Sequence, residues 1–181
     1  YFRLTAGAGG GSFATMRMRS FGILMVLWLV CGCERRVEVR RAVAVSEDGA
    51  MEIKAMTFNL RYENEGDRGR RAWAQRVIGM VRMLRQEAPD AFGVQEGLHG
   101  QVADLRASLP GYGFVGLGRS DGERDGEYTG IFFRNDRFGK DEGKSGMIWL
   151  SATPEKPGSK TWGNEIPRVA TWTRLVDRSS G

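Results

Sequence analysis

An α+β domain, a mixed sheet with helices on one face, is the fold class this sequence predicts. Three observations carry the prediction. Strand-like apolar runs alternate with two amphipathic helical stripes between residue 51 and about residue 117. Beyond residue 118 the sequence is strand-rich and shows no further helical stripe. Pro89 and Pro110-Gly111 close each helical stripe at the residue where a helix must stop.

Ile53 to Asn59 alternates as a strand, and Arg61 to Arg71, rich in Gly, Glu and Arg, reads as a loop. Trp73, Val77, Met80, Val81, Leu84 and Ala88 fall on one apolar helical stripe, with Arg76, Arg82, Arg85 and Gln86 opposite. Ala91 to Gln95 is a short apolar strand whose composition suits a central position. Leu98, Val102, Leu105 and Leu109 repeat the helical stripe. Tyr112 to Leu117 is the next strand, and Gly118 to Glu127 is a charged, Gly-rich loop. Thr129 to Arg134 and Met147 to Ser151 read as strands. Ala152 to Ile166, with Pro154, Pro157 and Gly158, is a long loop, and Val169 to Val176 alternates as the last strand.

The 181 residues are ample for one domain with a core. The domain proper is expected over residues 51–181. Before it lie a non-native upstream segment (1–15), a signal peptide (16–33) and a linker (34–50). Phe21 to Cys33 is an apolar run behind Arg17 and Arg19. It is shorter than the roughly 20 residues a bilayer span needs and has the layout of an export signal. Val30-Cys31-Gly32-Cys33 resembles a bacterial lipobox. That resemblance implies lipid on Cys33 and an envelope location, periplasmic or outer-membrane-tethered; an ordinary cleaved signal and secretion is the alternative. Both cysteines of the chain lie in this leader, so the domain is expected to have no disulfide framework.

The net charge of +5 does not point to nucleic acid. Seven arginines and two glutamates fall within residues 1–45, which is the whole surplus. The remainder is neutral, and a duplex-binding domain is expected to carry a basic face.

The candidate chemistry sits at two strand ends. Met56-Thr57-Phe58-Asn59 ends in an amide, and Ala91-Phe92-Gly93-Val94-Gln95-Glu96 ends in an amide and a carboxylate. Taken singly, Asn59 reads as a turn residue and Glu96 as a solvated charge. Brought to one rim, they can hold a hard cation beside a phosphate, because magnesium prefers oxygen ligands and usually keeps waters. The order strand–Asn, amphipathic helix, Pro-Asp, strand–Gln-Glu resembles the endonuclease/exonuclease/phosphatase superfamily, whose type fold is that of deoxyribonuclease I. Further segments share the likeness: Gly118-Arg119-Ser120-Asp121-Gly122, Gly126-Glu127-Tyr128-Thr129-Gly130-Ile131-Phe132-Phe133-Arg134, Trp149-Leu150-Ser151 and Pro167-Arg168-Val169-Ala170-Thr171-Trp172. They are similar to a bacterial, often exported, branch of that superfamily.

The resemblance implies a four-layer α/β/β/α sandwich, of which residues 51–176 would form about the first half. It implies a magnesium-dependent hydrolase of phosphate esters, with manganese as a second possible ion. Glu96 would be the metal ligand and Asn59 the group touching the scissile phosphate or the catalytic base. Glu127, Tyr128, Arg119 and Arg168 are weaker candidates for substrate contact, each with a plain structural role as alternative. His99 does not match the family's catalytic histidine and is expected on the surface or near a helix cap. The family's Asp-x-Asn segment and terminal Asp-His pair have no counterpart in residues 1–181, so the chain alone is expected to be inactive. With half the sandwich absent, Ile131, Phe133, Trp149 and Trp172 are expected to be partly exposed. The competing functional class is a surface lipoprotein that binds a ligand or glycan without cleaving it. The substrate stays open among nucleic acid, phosphosugar, phospholipid headgroup and inositol phosphate.

Overall fold

A computed structural model describes residues 52–179, together with the backbone of three short N-terminal strands. Those strands are β1 (Arg3–Ala6), β2 (Ser12–Thr15) and β3 (Ile23–Val26). β1 and β2 form an antiparallel pair, and β3 pairs antiparallel with the last strand of the domain. Cys33 and the linker lie outside the described residues, as does most of the expected signal segment.

The domain follows the order β4 (Ala55–Asn59), a 3-10 turn (Gly69–Arg71), α1 (Trp73–Glu87), β5 (Ala91–Gly97), α2 (His99–Ser108), β6 (Tyr112–Val115), β7 (Tyr128–Arg134), β8 (Phe138–Trp149) and β9 (Val169–Asp177). One sheet has the strand order β4-β5-β7-β6, with β4 and β5 parallel and the other pairs antiparallel. The parallel pair follows from α1, a crossover long enough to return the chain to the same edge. A second sheet has the order β3-β9-β8, and it packs across β7 and β6. The architecture is helices, mixed sheet, second sheet, as the α+β expectation required.

Alternation along each central strand builds both interfaces. Met56, Phe58, Phe92, Val94 and Phe132 point to the helical side, where they meet Trp73, Val81, Leu84, Leu105 and Leu109. Phe92 and Phe132 stack at 4.7 Å. Ala91 and Phe133 point the other way and meet Phe138 and Leu175 of the second sheet. This corrects one expectation. Ile131 and Phe133 are buried on the face toward the second sheet, and Trp149 of that sheet is buried against the 118–127 loop, whereas Trp172 is half-buried and so partly exposed as expected.

α1 stops where Pro89 demands, with Ala88 in the left-handed region and its N–H donating to the Leu84 carbonyl (2.9 Å). Arg76 departs from the expected solvent face. It is half-buried and donates to the carbonyls of Leu60, Arg61 (3.0 Å) and Arg71 (2.6 Å), and burial lowers its pKa. β8 is the largest departure. It begins at Phe138, nine residues before the expected Met147, and carries a bulge between Lys140 and Ser145. It is an edge strand whose charged stretch, Lys140 to Lys144, reads as loop in sequence. Such charges on an edge discourage pairing with other chains. The 152–168 stretch has no helix or strand, as expected.

Candidate active site

The C-terminal ends of parallel β4 and β5 and the start of antiparallel β7 lie on one rim. Asn59 pairs in register with Gln95, and Gly97 with Tyr128. Between Val94 and Gly97 the β5–β7 register is broken by a bulge. Glu96 sits on it at φ 59°, in the left-handed region that side chains other than Gly enter at a cost. The bulge turns the Glu96 side chain toward Asn59. Asn59 Nδ2 donates to Glu96 Oε1 at 2.8 Å, while Asn59 Oδ1 accepts from the Arg61 N–H at 2.7 Å. That second contact fixes which end of the amide faces the carboxylate.

The chain just past β4 is held tightly. Arg61, also at positive φ (54°), forms a two-point ion pair with Asp67 (3.0 and 2.7 Å). The hydrogen bond from Arg61 lowers the Asp67 pKa, and the same bond raises that of Arg61. Gln101, fully buried on α2, ties this loop to the helix start. Its Oε1 accepts from the N–H groups of Glu63 (2.9 Å) and Leu98 (3.1 Å), and its Nε2 donates to the Arg61 carbonyl (3.1 Å). Sequence reasoning passed over Gln101. Its signal was a polar residue three positions from Leu98, on the buried face of an amphipathic helix, where a polar group needs partners.

The charged loop 118–127 is compact rather than open. Ser120 N–H bonds the Asp125 carbonyl (3.0 Å), and Asp121 Oδ1 accepts from Glu123 and Asp125 N–H (2.7 and 3.0 Å). These backbone donors lower the Asp121 pKa. Gly118 is required here, since a Cβ would stand 2.2 Å from the Asp125 carbonyl oxygen. Arg119 and Glu127 pair with each other (3.0 Å), and the Arg119 carbonyl accepts from Trp149 Nε1 (2.7 Å). Tyr128 is buried, and its hydroxyl donates to the Glu123 carbonyl (3.0 Å) and meets His99 Nδ1 (2.9 Å). Arg168 is half-buried just before β9, with its carbonyl accepting from Leu150 N–H (2.7 Å).

Asn59 and Glu96 are thus in direct contact, with Tyr128 beside them across the bulge. Arg119 and Glu127 neutralise each other. His99 is exposed on the first turn of α2, as expected, and its contact with Tyr128 is an addition.

The fold as a whole has known counterparts. Solved structures match over about 70% of the chain. An endonuclease/exonuclease/phosphatase from Bacteroides vulgatus is 36% identical with a TM-score of 0.67 over 71% of this chain. A family protein from Bacteroides thetaiotaomicron is 38% identical with a TM-score of 0.65 over 70%. This chain belongs to the endonuclease/exonuclease/phosphatase superfamily. A third similar structure, a mannosyl-6-phosphatase from Bacteroides thetaiotaomicron, is 38% identical over 70% of the chain, with a TM-score of 0.65. The chain spans 48%, 44% and 47% of these three structures, under half of each. No protein-family model and no curated protein matches the sequence.

The superfamily generally uses divalent metals. Glu96 Oε1 takes one hydrogen bond, and Oε2 has no hydrogen-bond partner among the described residues. A half-exposed carboxylate with a free oxygen fits a hydrated hard cation. Among the described residues no group of three or more His, Cys, Asp or Glu side chains gathers to hold a metal. Glu96 therefore fits as one ligand of a largely water-coordinated ion.

Proposed function

We propose that this chain carries the metal- and phosphate-facing part of a magnesium-dependent phosphoesterase site. The observation that supports the reading best is the Asn59–Glu96 contact at the rim, with Glu96 on a strained bulge. Glu96 would hold the cation, magnesium or the similarly oxygen-preferring manganese. When bound, that ion supplies charge stabilisation for the transferring phosphoryl group. Asn59 uses one amide proton on Glu96, and the other is free to donate to a phosphate oxygen without adding negative charge. The hydrogen bond to Arg61 N–H holds the amide in that orientation before substrate arrives. Water activation needs a base that neither Asn59 nor Glu96 supplies in this arrangement. A phosphorylated sugar is a fitting substrate class, since one similar structure is a mannosyl-6-phosphatase.

The test is a magnesium titration of 15N-labelled protein, followed by addition of a simple phosphate ester. Magnesium should move the Glu96 signals first, and the ester should then move the Asn59 side-chain amide. Glu96→Gln should abolish the magnesium response. Responses centred elsewhere, or none, would overturn the proposal and favour a non-catalytic binding protein.

We also propose export with lipid on Cys33, supported by the Val30–Cys33 pattern behind a short apolar run. Cys33→Ser should release the protein from the bacterial membrane fraction. Absence of labelled palmitate on the wild-type chain would leave only a cleaved signal.

A further inference from the structure

The Tyr128 hydroxyl has two neighbours and one proton. The Glu123 carbonyl oxygen can only accept, so the Tyr128 O–H points there (3.0 Å). The contact with His99 Nδ1 (2.9 Å) must then be donated by the imidazole. A neutral ring with its proton on Nδ1 keeps a lone pair on Nε2, which has no hydrogen-bond partner among the described residues. The arrangement is stiff. Tyr128 is 4% exposed, its ring lies against Phe114, and its backbone bridges Gly118 on one side and Gly97 on the other. Burial also raises the Tyr128 pKa, so the phenol keeps the proton this network needs. His99 follows Glu96 by three residues, a span of at most about 11 Å. That bound lets the two side chains meet the two halves of one phosphate ester.

Resting on the phosphoesterase reading, we propose that His99 is a specificity residue of the same site. Its Nε2, oriented by Tyr128 and Glu123, accepts a hydrogen bond from a hydroxyl of the alcohol half of the ester. The preferred substrates are then esters of polyhydroxylated alcohols.

His99 is the chain's single histidine, so 15N-histidine labelling of the full chain yields one pair of ring nitrogens. The expected spectrum of the neutral ring shows Nδ1 protonated and Nε2 not. Tyr128→Phe should restore the Nε2–H form. A wild-type ring with its proton on Nε2 would overturn the proposal. With magnesium present, glycerol phosphate should move the Nε2 signal and methyl phosphate should leave it nearly still. Equal shifts with both esters would refute hydroxyl recognition. If both esters move Asn59 and Glu96 but neither moves Nε2, His99 has no substrate role and the phosphoesterase reading survives. If neither ester moves any of these signals, both proposals fall. H99N keeps a donor for Tyr128 and removes the Nε2 acceptor. It should weaken glycerol phosphate relative to methyl phosphate by about 2- to 10-fold, the worth of one hydrogen bond. An equal loss for both esters would mark His99 as structural.

Discussion

Glu96 occupies a backbone conformation better suited to glycine, and replacing it with Gly and with Ala separates backbone strain from chemistry. Both variants lose the 2.8 Å bond from Asn59 and the carboxylate, so their difference isolates the backbone. A side chain at φ 59° costs about 1–2 kcal/mol. Glycine forfeits about 0.5–1 kcal/mol of this through the greater freedom of its unfolded chain. Glu96→Gly should therefore be about 0.5–1 kcal/mol more stable than Glu96→Ala. With a urea slope of about 2 kcal/mol/M, that is a midpoint difference of about 0.25–0.5 M. Neither variant should bind magnesium. Gln95 is the control. It is the preceding residue and has no positive φ, so Gln95→Gly should be less stable than Gln95→Ala. Glu96→Ala matching or exceeding Glu96→Gly in urea would refute the argument that the bulge is strained to aim a carboxylate.

Three further outcomes follow from the surrounding contacts. Gln101→Leu takes the shared acceptor from the N–H groups of Glu63 and Leu98, while the Arg61 carbonyl keeps its bond from Arg76, and should cost about 2 kcal/mol in urea unfolding; a loss under about 0.5 kcal/mol would show water replacing the amide. Arg137 joins Asp90 (2.6 Å) to Asp177 (3.1 Å) where the two sheets meet, and Arg137→Met should destabilise by about 2–3 kcal/mol, measured the same way; an unchanged midpoint would refute a stabilising role for the pairs. The Asp67 pKa is held down by its hydrogen bond from Arg61, so its contribution is fully present above the ordinary aspartate range near pH 4 and is lost as pH falls through the lower folded value. Amide shifts of residues 61–67 should report that loss in an acid titration, and Arg61→Gln should move the transition upward.

Local pattern was enough for most of the fold. The stripes of α1 and α2, the stop at Pro89 and the apolar runs of β4, β5 and β7 are properties of neighbouring residues, which a linear sequence displays. β8 was only partly legible, because an edge strand needs apolar residues on one face at most and its charged stretch looks like loop. Asn59 and Glu96 were legible as a pair of strand ends, since parallel neighbours joined by a helix must end on one rim. What tertiary structure alone decided is how those ends are aimed. The β5 bulge that turns Glu96 to Asn59 depends on register with β7, more than thirty residues away. Gln101 reaching the Arg61 loop, and Tyr128 setting the proton on His99, join groups 40 and 29 residues apart. Such contacts leave no periodic trace in sequence, because one hydrogen bond constrains two positions and not a repeating face. The burial of Ile131 and Phe133 was settled in the same way, by a second sheet whose packing their own strand does not record.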